Sequence, residues 1–207
     1  MRLRSVRQLL LDFDNVLAHY RREVRVARLA AHAATTFDRV WQALYGSGPE
    51  ARYDAGEVAT ADYLRMPGEA IGAEVDAQAW LAARMAATRA DPGAMSRLLA
   101  LDPALPMAVL GNNGELMADA IPCVVAPLAL RLACRVPCSG VLGGRKPEPR
   151  VYLYALDRLG WSAADTPFVD DLFGNVRGAR CAGLQADTVR DPRTLTLGRV
   201  LKRCRLA

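Results

Sequence analysis

"LLLDFDNVLAHY", residues 9–20, ends an unbroken apolar run on two aspartates spaced one residue apart. The run suits a buried strand and is too short for a core helix, and Asp12 and Asp14 stand where it stops. Acids at that point are either turn formers or the beginning of a site that handles phosphate. Strand alternation directs both carboxylates to one side, about 6–7 Å apart along an ideal strand. Which reading holds depends on what the rest of the chain brings to the same place.

Downstream, Val24, Ala27, Ala31 and Ala34 recur at helical spacing, which predicts one helix over 21–45, ended by "GSGPE". Thr60 is expected to cap a further helix through Arg65, and another runs over 76–87. No strand is expected between residues 18 and 90. From "DPG" at 91–93 the texture changes to short strands alternating with helices. Strands are expected at 5–13, 106–110, 134–138, 166–171 and 184–189, with helices between them and a helical tail from Arg193. That order predicts an α/β fold, a Rossmann-like doubly wound parallel sheet with an inserted α-helical cap. The core comprises residues 1–17 and 91–207, and the cap residues 18–90.

Composition narrows the functional classes. The chain has 207 residues and a formal charge of +5, with basic residues at both ends (Arg2, Arg4, Arg7; Arg199, Lys202, Arg203, Arg205). Neither cluster carries interleaved aromatics or a reading helix, so no nucleic-acid partner is expected. A positive field favours small anions instead. No apolar run approaches the roughly 20 residues that a spanning helix needs, so no membrane partner is expected. The five cysteines form no CxxC pair, as expected of a reducing, cytoplasmic setting. His19 and His32 fit no metal-ligand spacing. Oligomeric state is left as monomer or homodimer.

Lysine and asparagine are scarce, and their positions are informative. Of 27 basic residues only Lys146 and Lys202 are lysines, and asparagine occurs only at 15, 112, 113 and 175. All four asparagines and Lys146 fall in or just after segments predicted to leave the sheet: Asp12–Asn15, Gly111–Asn113, Asp170–Asp171 and Arg145–Glu148. Ligands of open parallel sheets bind at the carboxyl ends of the strands, so these segments converge. Four acids crowded together need a cation, and oxygen-only ligands beside phosphate favour Mg²⁺. Lys146 adds a fixed charge, Pro147 suits a first helical position, and backbone N–H groups at 111–113 suit phosphate oxygens.

With these segments in hand the sequence resembles the haloacid dehalogenase (HAD) superfamily, in particular its sugar-phosphate phosphatase-like members with a small helical cap. "DFDNV" (12–16), "AVLGNN" (108–113), "GGRKPEPRVY" (143–152) and "FVDDLFGNVRGARCAGL" (168–184) match its motifs in order, and "YDAGEVATADYL" (53–64) resembles its cap. The resemblance implies Asp12 as nucleophile forming an aspartyl-phosphate and Asp14 as general acid and base. It implies Mg²⁺ held by Asp12, the Asp14 carbonyl and Asp171, with Asp170 supporting. Lys146, Gly111, Asn112 and Asn113 would hold the phosphate. The expected activity is hydrolysis of small-metabolite phosphate monoesters, sugar phosphates among them. A phosphosugar mutase is one alternative. Gly111 departs from the usual Ser or Thr, which sets a second: a weakened or inactive protein that binds phosphate or a partner.

Overall fold

The computed structural model describes residues 6–46, 48–133, 135–189, 196–204 and 206. Ser5, Cys134, residues 193–195 and the terminal Arg2, Arg4 and Arg205 named above lie outside that set. After β1 (Leu9–Leu11) and β2 (Ala18–Tyr20) come α1 (Arg22–His32), α2 (Phe37–Trp41), α3 (Pro49–Asp54), α4 (Thr60–Ile71) and α5 (Ala77–Ala87). Then follow β3 (Thr88–Ala90), α6 (Pro92–Leu99), β4 (Met107–Val109), α7 (Met117–Val124), α8 (Ala129–Leu132) and α9 (Ser139–Leu142). The chain closes with α10 (Pro149–Leu159), β5 (Pro167–Asp170), α11 (Phe173–Cys181), β6 (Gln185–Thr188) and α12 (Thr196–Arg203).

The four-stranded sheet is parallel and ordered β4-β1-β5-β6. β1 sits between strands reached in opposite directions, so the switch point of the doubly wound sheet lies at its carboxyl end. Leu9, Leu10 and Leu11 are each fully buried because both sheet faces are covered. Alternation still operates: Leu9 and Leu11 join the core shared with the helical insert, and Leu10 joins the core under α10 and α11.

Three local expectations are corrected. The helix over 21–45 breaks at Ala34, which adopts a left-handed φ of 47°. Thr36 then caps α2 by accepting from the Arg39 amide at 3.3 Å, and residues Gln42–Gly46 widen into a π-helical turn. A strand pair does occur within 18–90: β2 pairs antiparallel with β3 where the insert leaves and rejoins the sheet. Residues 135–138 run along β4, with Val109 N donating to Arg135 O at 3.0 Å, but form only one isolated bridge, Gly111 to Cys138.

Two capping assignments also move. Ala59, not Thr60, precedes α4, and the Thr60 hydroxyl instead donates to Glu115 Oε2 at 3.0 Å. Pro149, not Pro147, opens α10. Among the described residues no helix is long and apolar enough to cross a membrane.

Candidate active site

Asp12 leaves β1 still aligned with the sheet, its amide donating to Val169 O at 2.8 Å. Its Oδ1 accepts from the Phe13 amide at 2.8 Å and lies 2.7 Å from Lys146 Nζ. Oδ2 has no hydrogen-bond donor among the described residues. The turn that follows closes on Phe13 O, which accepts from Val16, Leu17 and Ala18. Asn15 supplies the left-handed residue of this turn (φ 63°), a conformation asparagine tolerates better than most. Its side chain then donates to Asp171 Oδ2 at 3.0 Å, so one residue both shapes the loop and ties it to β5.

Lys146 is buried, and its Nζ also lies 2.7 Å from Asp170 Oδ2. Desolvation would lower its pKa, but Asp12 and Asp170 outweigh that and hold the ammonium above its ordinary value. Two devices fix its backbone. Asn112 Nδ2 donates to Lys146 O at 2.9 Å while the Lys146 amide donates to Asn112 Oδ1 at 2.8 Å. On the other side α11 presses against the next residue: a Cβ at Gly178 would stand 2.0 Å from Pro147 O. The Asn112 side chain is therefore committed to the lysine loop, not free for phosphate as expected.

Asp170 is fully buried and well supplied with donors. Asn175 Nδ2 lies 3.0 Å from each of its oxygens, and the Leu172 amide donates to Oδ1 at 2.8 Å. Asp12, Asp170 and Asp171 nonetheless place one oxygen each within 4.8 Å of one another. Burial chiefly, with Asp170 adding to it, raises the pKa of Asp12 and of Asp171; Lys146 opposes this for Asp12, and the Asn15 bond opposes it for Asp171. Negative charge thus exceeds what one lysine neutralises, and an all-oxygen donor set of this kind fits a hard divalent cation.

Asp14 is separate from that trio. Arg84, from α5, places Nη2 2.9 Å from both Asp14 oxygens. Arg84 is itself anchored over the Tyr20 ring at 3.5 Å, with its Nε donating to Met117 Sδ at 3.2 Å. The residue expected to move protons is thus held by the helical insert.

Gly111 closes the remaining side. A Cβ there would stand 2.2 Å from Asn113 Oδ1. The Asn113 amide therefore fills the space that a Ser or Thr side chain at 111 would take.

Asp12, Asp14, Asn112, Asn113, Lys146 and Asp171 all line one cavity of about 280 Å³. Asp170 lies behind Lys146 and Gly111 beside Asn113, so the predicted residues are brought together. Sequence reasoning missed Arg84, Arg145, Asp54 and Glu50, which line the same cavity. Arg145 and Asp54 lie inside quoted motifs but were given no role, and Arg84 and Glu50 carried no signal of their own.

No family model matches this chain. A phosphatase from Mycobacterium tuberculosis is 37% identical over 82 residues, which is 40% of this chain and 37% of that protein. The match thus spans little more than a third of that relative's length. Among solved structures, a HAD-like family hydrolase from Porphyromonas gingivalis superposes with a TM-score of 0.74 at 19% identity, covering 97% of this chain and 98% of its own. A HAD family enzyme from Bacteroides thetaiotaomicron, solved with magnesium and inorganic phosphate, gives 0.70 at 19% identity over 89% and 94%. These superpositions show that the chain shares the fold of those HAD-like hydrolase structures.

Proposed function

We propose that this protein is a Mg²⁺-dependent phosphatase acting on small phosphate monoesters through an aspartyl-phosphate on Asp12, with residues 18–90 forming a cap over the site. The observation that carries this is Lys146 Nζ, 2.7 Å from both Asp12 and Asp170 at the ends of adjacent parallel strands, with Asp171 beside them. A relative named as a phosphatase and a neighbour solved with magnesium and phosphate support it.

Asp12 Oδ2, free of donors, attacks phosphorus, and the phosphorus–ester oxygen bond breaks. Lys146 pins Oδ1 and offsets charge on the phosphoryl oxygens. Asp14 gives its proton to the leaving oxygen, then takes one from the water that attacks the acyl phosphate and restores Asp12. Backbone N–H groups over 111–113 and the Asn113 side chain hold the phosphoryl oxygens. Asp12 and Asp171, with the Asp14 carbonyl, would hold Mg²⁺, and Asp170 serves to seat Lys146. Bound there, the ion would neutralise phosphoryl charge during transfer.

Gly111 favours the second reading, a phosphate binder without turnover. Release of phosphate from an aryl phosphate, with and without Mg²⁺, separates the two. The phosphatase reading expects Mg²⁺-dependent release by the wild type and a loss of at least ~10³-fold in Asp12→Asn. Equal inactivity of both proteins across a broad panel of esters would overturn it.

A further inference from the structure

The cations of the cavity differ in what they already hold. Lys146 is paired with Asp12 and Asp170, and Arg84 with Asp14. Arg145 lines the same cavity and makes no ion pair among the described residues. Its Nε is buried and has no hydrogen-bond partner. A guanidinium donor shut away from water without an acceptor is costly unless something else supplies one.

The acid whose field reaches Arg145 is Asp54, at the end of α3. Asp54 is an incomplete counter-ion. Its Oδ1 is taken by the Gly114 amide at 2.8 Å, and burial, with Glu50 adding to it, pushes its carboxyl up to about 7. Arg145 therefore sits in the wall of the cavity as a planar, permanently charged fork with no fixed acceptor. That geometry matches a carboxylate or phosphate approached edge-on.

The cavity also limits what can bring such a group. At about 280 Å³ it lies at the small end for ligand sites, leaving room beyond the phosphoryl group for only a few carbons. We propose that Arg145 binds a second oxyanion of the substrate, so that the preferred substrates are short phosphate monoesters carrying a carboxylate or a second phosphate. This rests on the phosphatase reading and makes Arg145 its specificity-determining residue.

The test compares three esters built on a three-carbon chain: 2-carboxyethyl phosphate, n-propyl phosphate and propane-1,3-diyl bisphosphate. With Mg²⁺ present, wild-type kcat/KM should favour at least one of the two acidic esters over n-propyl phosphate by about 10- to 100-fold, the range expected of a charge-assisted contact. Which acidic ester is preferred identifies the oxyanion. Arg145→Gln should collapse that ratio toward one, mainly through KM, and Arg145→Lys should keep part of it. A merely structural role would lower all three esters together and leave the ratio intact.

A wild-type ratio near one overturns the proposal. So does a preference that survives in Arg145→Gln, or one lost instead in Arg22→Ala, Arg22 being an exposed arginine that also lines the cavity. If no ester is hydrolysed, it is the phosphatase reading that fails. The same ratios measured as equilibrium binding of these esters then decide the role of Arg145 on the same criteria.

Discussion

Two buried ion clusters lie within reach of one cavity, and they are built on opposite terms. In the helical insert, Arg25 is fully buried and meets Glu50 with both nitrogens of its fork, Nη1 to Oε1 at 2.5 Å and Nη2 to Oε2 at 3.2 Å. Tyr63 closes the cluster: its hydroxyl accepts from Arg25 Nη2 at 2.8 Å and Trp80 Nε1 at 2.9 Å, and donates to Glu50. One positive charge meets one negative charge. At the strand ends, Lys146 alone faces Asp12 and Asp170, with Asp171 near, and Asp12 Oδ2 is left open. The balanced cluster holds the insert together, whereas the unbalanced one has charge and lone pairs left over for a ligand.

The largest expected effects set the clusters directly against each other. Arg25→Met leaves the partly buried Glu50 without its cation and should cost about 2–3 kcal/mol of stability in chemical denaturation. Asp12→Asn should behave in the reverse way, abolishing turnover while stability changes by less than about 1 kcal/mol. Lys146 keeps Asp170 in that variant, and one of three crowded carboxylates loses its charge. Comparable destabilisation by both substitutions would erase the distinction.

Acid sharpens the same contrast. Burial pushes the Glu50 carboxyl up, but Arg25 outweighs it, and its pKa lies below the ordinary 4.5. A depressed carboxylate stabilises the fold fully above its unfolded value and loses that contribution as pH falls through its folded value. The Tm of the wild type should therefore fall on acidification below about 4.5, and Glu50→Gln, less stable at neutral pH, should lose this component of the slope.

The strand-end cluster was far more legible in the sequence than the insert, for physical reasons. β1 is an uninterrupted apolar run because both sheet faces bury it, so the place where it stops marks the site. Lys146 stood out because lysine is rare here. Arg84 did not, being one of 25 arginines, although it holds a predicted site residue as firmly as any contact in the cavity. β2 and β3 are three residues long and carry His19 and Arg89, too short and too polar to show alternation. The break at Ala34 hides in an alanine-rich helical run, where only the Thr35–Thr36 pair hints at a new cap.

Arg84 joins the two regions, and its removal has an intermediate effect. Arg84→Gln should leave Asp14 without its fixed orientation and lower kcat by about 10- to 100-fold, the range for small misplacements of a reacting group. Arg84→Lys should recover part of the loss. A purely structural arginine would show the opposite pattern, a lower Tm with kcat intact.

The smallest effect probes whether Asn113 has replaced the hydroxyl that residue 111 lacks. Because a Cβ at 111 would fall 2.2 Å from Asn113 Oδ1, Gly111→Ser cannot simply add a hydrogen bond. The obstructing atom is the far end of a rotatable side chain, so the variant should fold, with Asn113 turned away. One phosphate contact is then exchanged for another, and kcat/KM for an aryl phosphate should change by no more than about threefold, under 1 kcal/mol. Asn113→Ala in the Gly111 background should lose about 10-fold or more, since the backbone N–H groups of 111–113 then hold the phosphoryl oxygen without a side-chain donor from this strand end. Adding Gly111→Ser to Asn113→Ala should restore most of that loss. Independent, additive effects of the two substitutions would show instead that they serve different contacts, and that the strand end works without any side chain in the place Asn113 occupies.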